Sequence, residues 1–307
     1  MTRLSSIDKR IELDRQADAI ERLCREHGAA ATITGGSVTP RYIQFILKPS
    51  ATTPSDRLGD LRTKIGDLLK APVKMTYDKT IKAFWLETRR NDPEPISLAK
   101  MIERLPAGKV PPCTALFGLA DDGAPLLARI TSPDVKHIVI SGPKDTGKTA
   151  LTVTIALSLA AQNARRALQL VPIGAGLASL AGLPHLNHDL AGAGLPGLVN
   201  LIERRNGNPE PRVIVAIDDL AALSDPDRAA LNTIFEHGQE KGVHVIGATR
   251  QTIPSGNDRA LLIAANPEPI AVGDFVAYPN GTAIKFMAAY ATPSEIGDML
   301  STIGGQR

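Results

Sequence analysis

Apolar residues recur at helical spacing through residues 7–26, where Ile11, Leu13, Ala17, Ile20 and Leu23 fall between charged positions and His27-Gly28 closes the run. The spacing predicts a helix with one stripe to bury. Strand-like segments follow at 30–34 and 42–47, then a helical pattern over 55–69, and further strands at 73–77 and 82–87. Together they predict a small mixed α+β unit. Phe84 and Trp85 alternate on its last strand, and one aromatic facing the core outweighs a base-stacking role. From 87 to 109 the sequence turns polar and Pro-rich, which predicts a linker carrying one short helix over 97–105. The expected division is an N-terminal α+β domain with its linker over 1–106 and a second domain over 107–307.

The second domain opens with two apolar runs between 115 and 130, separated by Asp121-Asp122-Gly123, the pattern of a hairpin. From Lys136 onward apolar strands and helical runs alternate, which predicts an α/β fold with a largely parallel sheet covered on both faces. Residues 137–150 read HIVISGPKDTGKTA: β-formers, then a complete GxxxxGK[ST] octet, then an apolar helical pattern over 150–161. Glycines in such a loop let successive N–H groups turn inward around an anion, and the helix N-terminus adds a favourable dipole. Gly142, Pro143, Lys144, Asp145, Thr146, Gly147, Lys148, Thr149 and Ala150 are therefore the expected phosphate cradle. Lys148 is expected on the β- and γ-phosphates and the Thr149 hydroxyl on Mg²⁺. A Gly-rich turn without a ligand is the alternative; the octet's place between strand and helix weighs against it.

Two further segments add chemistry. Residues 212–220, RVIVAIDDL, form an apolar strand ending in two carboxylates at the edge where open parallel sheets bind ligands. Asp218 is expected to hold magnesium through water and Asp219 to polarise the attacking water, the Walker B geometry. A helix N-cap is the other reading of such a pair, and the octet upstream favours the first. A strand over 243–248 ends in Thr249-Arg250-Gln251, which places Thr249 and Gln251 where a γ-phosphate could be sensed. Arg250 and Arg259 are candidates for an arginine finger, against the plainer reading of solvated arginines.

Composition narrows the classes. A chain of 307 residues with 43% hydrophobic content has enough apolar surface for a large core, and a net charge of +3 permits a nucleic-acid partner without requiring one. Cys24 and Cys113 are far apart and lack metal-ligand spacing, so neither a disulfide framework nor a zinc site is expected, which fits a reducing cytoplasm. The N-terminus is charged, and no apolar run reaches membrane-spanning length, so the expectation is a soluble protein without a membrane segment. No internal repeat is visible.

The order of these segments resembles the FtsK/SpoIIIE family of DNA translocases over most of the chain. GGSVTPRYIQF (35–45), SDRLGDLRTKIGDLLKAPVKM (55–75) and FWLETRRNDPEPISLAKMI (84–102) are similar to the α/β region before the motor. VKHIVISGPKDTGKT (135–149) resembles the Walker A strand and loop, GLPHL (182–186) a short connecting motif, and RVIVAIDDLAAL (212–223) the Walker B segment. VHVIGATRQ (243–251) resembles the final core strand, and VGDFVAYPNG (272–281) the closing hairpin. The resemblance implies a RecA-like P-loop core whose subunits form a ring, a hexamer, around double-stranded DNA and hydrolyse ATP between neighbours. Lys148, Asp219 and Arg259 are then the expected catalytic groups, with Thr149 and Asp218 on Mg²⁺.

The sequence departs from that family at several points. Asp219 stands where the family usually has Glu, and Thr249-Arg250-Gln251 replaces Thr-Gln-Arg. Val171-Pro172-Ile173 lacks the family's Asp-Pro-Lys. The long segment after the sensor, with its sheet strand, is expected to be missing, because Asp258-Arg259-Ala260-Leu261 already resembles a later arginine motif. Neither the membrane region nor the winged-helix domain is recognised. A degenerate nucleotide-binding scaffold with weak ATPase activity is the alternative these departures favour. A small-molecule kinase is weaker, since the N-terminal unit resembles the translocase arrangement.

Overall fold

The computed structural model describes residues 6–39, 41–90, 95–106, 108–253 and 259–305. Pro40 of the TPRY segment, residues 91–94 of the expected linker, Ala107 at the expected boundary and Asp258 of the arginine motif lie outside them. The chain divides into two compact units, 1–94 and 95–307.

In the first unit, helix α1 (Ser6–Glu26) is followed by strands β1 (Ala31–Val38) and β2 (Tyr42–Pro49), helices α2 (Ser55–Asp60) and α3 (Arg62–Leu69), and strands β3 (Val73–Asp78) and β4 (Ala83–Arg89). The strands form an antiparallel sheet in the order β1-β2-β4-β3. The helical pattern over 55–69 is two helices meeting at Leu61. Ile20 and Cys24 of the α1 stripe pack with Leu58, Ile65, Phe45, Leu47 and Leu86, whereas Ile11 stays exposed. Phe84 joins this core and touches the Tyr77 ring. Burial raises the Cys24 thiol to about 11 and keeps it protonated.

The second unit holds β5 (Ile96–Ser97), α4 (Leu98–Arg104), β6 (Thr114–Ala120), β7 (Pro125–Arg129), β8 (Ile138–Ser141), α5 (Lys148–Gln162), β9 (Leu168–Ile173), α6 (His188–Arg204), β10 (Arg212–Ile217), α7 (Asp225–His237), β11 (Val243–Thr249), β12 (Leu261–Ala265), β13 (Asp274–Tyr278), β14 (Ile284–Tyr290) and α8 (Pro293–Gly305). Its sheet runs β7-β6-β14-β13-β12-β8-β11-β10-β9, with β5 also on β14. The five strands from β12 to β9 are parallel. The other flank is antiparallel, which corrects the expectation of a largely parallel sheet. The reason is connection length, because β6–β7 and β13–β14 are joined by tight turns that allow only antiparallel neighbours.

Residues 96–104 belong to this unit through the pairing of Ile96 with Ala289 and the burial of Leu98 and Met101. A second correction concerns β12, since the strand expected to be missing is present and pairs with β8 from Leu261 opposite Ile138. A five-residue apolar run with no alternation gives periodicity nothing to detect.

Both faces of the parallel core are covered. Alternate β10 residues serve different layers: Val213, Val215 and Ile217 pack with α6 and α7, while Ile214 and Ala216 pack with α5. Helix α5 is buried from Leu151 to Ala160, because its sequence carries no charged residue after Lys148 and it lies under the sheet with α8 against it. Its few hydroxyls are satisfied internally: Thr154 donates to the Ala289 carbonyl at 2.8 Å, and Ser158 accepts the Leu116 N–H at 3.1 Å. No helix among the described residues is long and apolar enough to cross a membrane.

Candidate nucleotide-binding site

The register fixes where the motifs meet. Ser141, the last residue of β8, is flanked by Thr249 on β11 and Ala264 on β12. Beyond it the chain turns through Gly142 to Gly147 and enters α5 at Lys148. Gly142 (φ +151°) and Gly147 (φ +93°) carry the turn, and a Cβ on Gly142 would lie 2.5 Å from the Ala265 Cβ, so the loop passes only as glycine. Asp145 takes a left-handed conformation between them. Pro143, Lys144 and Asp145 are exposed, so the loop backbone is reachable from solvent ahead of the α5 N-terminus.

Thr146 Oγ1 donates to the Pro143 carbonyl at 2.9 Å, and the Lys148 ammonium donates to the same oxygen. That ammonium is held below its ordinary range, first by burial and then by the neighbouring Arg250 guanidinium, while Asp219, Asp145 and Asp218 pull the other way. Lys148 thus stands among three carboxylates and one competing cation. Thr149 Oγ1 donates to Asp218 Oδ1 at 2.6 Å, joining the first turn of α5 to the end of β10.

Strand β11 lies between β8 and β10, so the acids approach the loop across an intervening strand that ends in Thr249. Ile217 pairs with Gly247 of β11 and with Ile173 of β9, and the Asp218 N–H continues the ladder to the Ile173 carbonyl at 3.0 Å. Asp219 turns away from the ladder. Its Oδ1 accepts the Ala221 N–H at 3.0 Å and caps the 3-10 turn Leu220–Ala222. The capping alternative therefore describes Asp219 and not Asp218. Thr249 is buried, and its hydroxyl accepts the Gln251 N–H at 3.1 Å; Arg250 and Gln251 are exposed just beyond.

Arg259 lies elsewhere. It precedes β12, whose Leu261 pairs with Ile138 at the start of β8, so it stands at the opposite end of that strand from Gly142. There it pairs with Glu236 at 3.3 Å, both side chains largely exposed. Within one subunit the fold does not bring Arg259 to the loop.

Two residues that sequence reasoning passed over shape the acid's position. A Cβ at Gly176 would lie 2.2 Å from Asp218 Oδ2, and one at Gly174 would lie 2.8 Å from Asp218 Cβ. The Gly174-Ala175-Gly176 turn after β9 therefore leaves the volume that the carboxylate occupies. A glycine pair directly after an apolar strand was the available signal for so close an approach.

The donor set fits a hard divalent cation. Thr149 and Asp218 offer a hydroxyl and a carboxylate oxygen converging within hydrogen-bond distance, the sparse protein contribution with which magnesium is held when phosphates and water complete its shell. No cluster of three or more His, Cys, Asp or Glu residues that could cage a metal occurs among the described residues.

No protein-family model and no curated protein matches the chain. Among solved structures it is similar to the pCW3 conjugation coupling protein TcpA, in a monomer form with ATPγS, with a TM-score of 0.54 and 14% identity over 94% of this chain and 99% of that one. It is also similar to the cytoplasmic domain of the Thermomonospora curvata type VII secretion ATPase EccC, with a TM-score of 0.52 and 17% identity over 69% of this chain. EssC (ATPases 2 and 3) from Geobacillus thermodenitrificans gives 0.52 and 16% over 70% of this chain. The chain spans 35% of that EccC chain and 53% of that EssC chain. At such identities the likeness establishes the fold alone, a RecA-like P-loop fold, and neither a family nor an activity.

Proposed function

We propose that this chain is a cytoplasmic, ATP-hydrolysing motor that assembles as a ring, a hexamer, and moves double-stranded DNA. The observation that carries the reading is the Thr149–Asp218 contact at 2.6 Å beside Lys148, a magnesium-triphosphate donor set at the sheet edge where P-loop enzymes work. The FtsK/SpoIIIE-like order of motifs supports the motor, and the likeness to a conjugation coupling protein along 94% of the chain supports DNA as the cargo.

In this reading Mg²⁺, when bound, neutralises charge on the β- and γ-oxygens. The loop from Gly142 to Ala150 binds the phosphates through the backbone N–H groups that follow Pro143, and Lys148 leaves the Pro143 carbonyl for the β/γ-oxygens. Asp219 orients the attacking water from the carboxylate oxygen that does not cap Ala221. Thr249 and Gln251 sense the γ-phosphate at the end of β11, and Arg250 offers it positive charge in cis. Arg259 serves the neighbouring subunit, since its own loop is out of reach. DNA is gripped without sequence preference through its phosphates, so binding weakens as salt rises.

One observation favours a second reading, that of a scaffold holding nucleotide with slow turnover. Asp219 is a short acid, and one of its two oxygens, Oδ1, is already engaged by the Ala221 N–H. Steady-state turnover with and without linear duplex separates the two. A motor accelerates several-fold on duplex, whereas a scaffold keeps one slow rate. Acceleration by polypeptide instead of duplex would keep the motor and change its cargo.

A further inference from the structure

The two acids and the sensor threonine lie on one side of the P-loop strand. Asp218 and Asp219 follow β10 and Thr249 ends β11, and both strands stand on the same side of β8. A triphosphate in the loop therefore directs its γ end toward β11 and β10. Its α end, and the nucleoside attached to it, leaves toward β12 and the turn that joins β12 to β13, residues 266–273.

That turn is fitted to the loop. Gly142 meets Ala265 at the end of β12, where a Cβ would come within 2.5 Å of the Ala265 Cβ. The Gly273 N–H donates to the Thr146 carbonyl at 3.2 Å. A Cβ on Gly147 would lie 3.3 Å from Val272 Cγ1, so the isopropyl group rests against the residue before Lys148. The turn is also braced from within. The buried Asp274 carboxylate accepts Asn266 Nδ2 at 3.1 Å and the Ile270 N–H at 3.0 Å through Oδ2, and the Asn266 N–H donates to the Asp274 carbonyl at 2.9 Å. The tip of this stiff turn carries Val272, which is 72% exposed, the most exposed large hydrophobic side chain among the described residues. One edge of this rigid β-branched side chain meets Gly147 and the rest stays open beside the phosphate loop, where a bound nucleotide would cover it.

We infer that Val272 is the base-side contact of the nucleotide site, its methyl groups packing on the flat face of the base while Asn266 and Asp274 hold the turn in place. The inference rests on the nucleotide reading and deepens it. The loop contacts phosphates only, so Val272 supplies affinity that separates a nucleotide from a bare triphosphate. An isopropyl face reads no base edges, so the contribution is the same for adenine and guanine.

The test is calorimetric titration of the full chain with Mg·ATPγS and, separately, with magnesium tripolyphosphate, for wild type, Val272→Ser and Val272→Ile. Val272→Ser is expected to bind the nucleotide about tenfold more weakly, because the hydroxymethyl group no longer covers the base with apolar surface, and the tripolyphosphate within about twofold of wild type. Val272→Ile is expected to keep nucleotide affinity within about twofold, because the apolar packing persists. Unchanged nucleotide binding by Val272→Ser overturns the inference. So does equal weakening of both ligands, which makes Val272 a prop for the loop. If wild type takes up tripolyphosphate but gains nothing from the nucleoside, the phosphate site stands and the base contact falls. If wild type takes up neither ligand, the nucleotide reading itself falls.

Discussion

Thr149 and Asp218, 69 residues apart in sequence, meet through a 2.6 Å hydrogen bond from the threonine hydroxyl to the aspartate Oδ1. In Asp218→Asn the amide keeps the shape and loses the charge that a divalent cation needs. Turnover of MgATP is expected to fall by about 3 kcal/mol in barrier, on the order of a hundredfold in rate, with the melting temperature nearly unchanged. A variant that hydrolyses at the wild-type rate removes Asp218 from the metal site.

Gly176 makes a subtler prediction. Alanine there puts a methyl group 2.2 Å from Asp218 Oδ2, and the atom in the way is a carboxylate with little room to yield. Gly176→Ala is expected to raise the magnesium concentration for half-maximal turnover by about tenfold or more, as when the support of a metal ligand is disturbed. Magnesium titration of activity reads this directly, and an unmoved midpoint means that the turn does not position the acid.

A pair of buried histidines beneath the site makes a pH prediction. His137 and His244, both fully buried, sit at the starts of β8 and β11 with their rings 6.1 Å apart. His137 Nδ1 accepts the Val245 N–H at 3.0 Å, and His244 Nδ1 lies 2.6 Å from the Lys136 carbonyl. Burial comes first in lowering both, His137 to about 3 with His244 and Lys136 adding to it, and His244 to about 4 with Arg212 and Arg205 adding to it. Each is therefore neutral when folded and gains a proton more readily when unfolded. The stability each contributes is complete above about pH 6.5 and is lost as pH falls from there toward about 4 and about 3. Near pH 5 the loss is about 2 kcal/mol per histidine. Thermal melts at pH 8 and pH 5 check it, and His137→Phe is expected to remove about half of the difference, leaving the His244 share; equal melting of the wild type at both values contradicts the buried neutral pair.

Much of this was legible in the chain. The octet, the acid-ended strand and the Thr249-ended strand were placed correctly because each couples an apolar run to a polar stop. Other features depend on pairings between distant segments. Nothing in LLIAA says that β12 lies beside β8, nor that two hairpins extend the parallel core as an antiparallel flank. Leu98–Arg104 looks like linker helix until Ile96 is seen paired with Ala289. Asp218 and Asp219 are chemically identical in sequence and diverge only because one faces Thr149 and the other caps Ala221. The glycines at 174 and 176 acquire meaning only once Asp218 is set against them.

Arg250 and Arg259 separate by where they act. Arg250 shares an electrostatic neighbourhood with Lys148 in the same subunit, whereas Arg259 stands at the far end of β8. Arg259→Ala alone and Lys148→Ala alone are both expected to be inactive. Mixed in equal amounts they are expected to recover about a quarter of wild-type turnover, because one interface in four then joins an intact loop to an intact finger. No recovery on mixing removes Arg259 from the neighbour's site.

The central claim is that this loop and its acids cleave ATP to move a duplex. The most direct measurement is phosphate release from MgATP by wild type and Lys148→Ala, each with and without linear double-stranded DNA at low salt. The account predicts slow release by wild type alone, several-fold acceleration on duplex that fades as salt is raised, and none by the variant. Turnover that survives in Lys148→Ala, or that ignores DNA at every salt concentration, would contradict it.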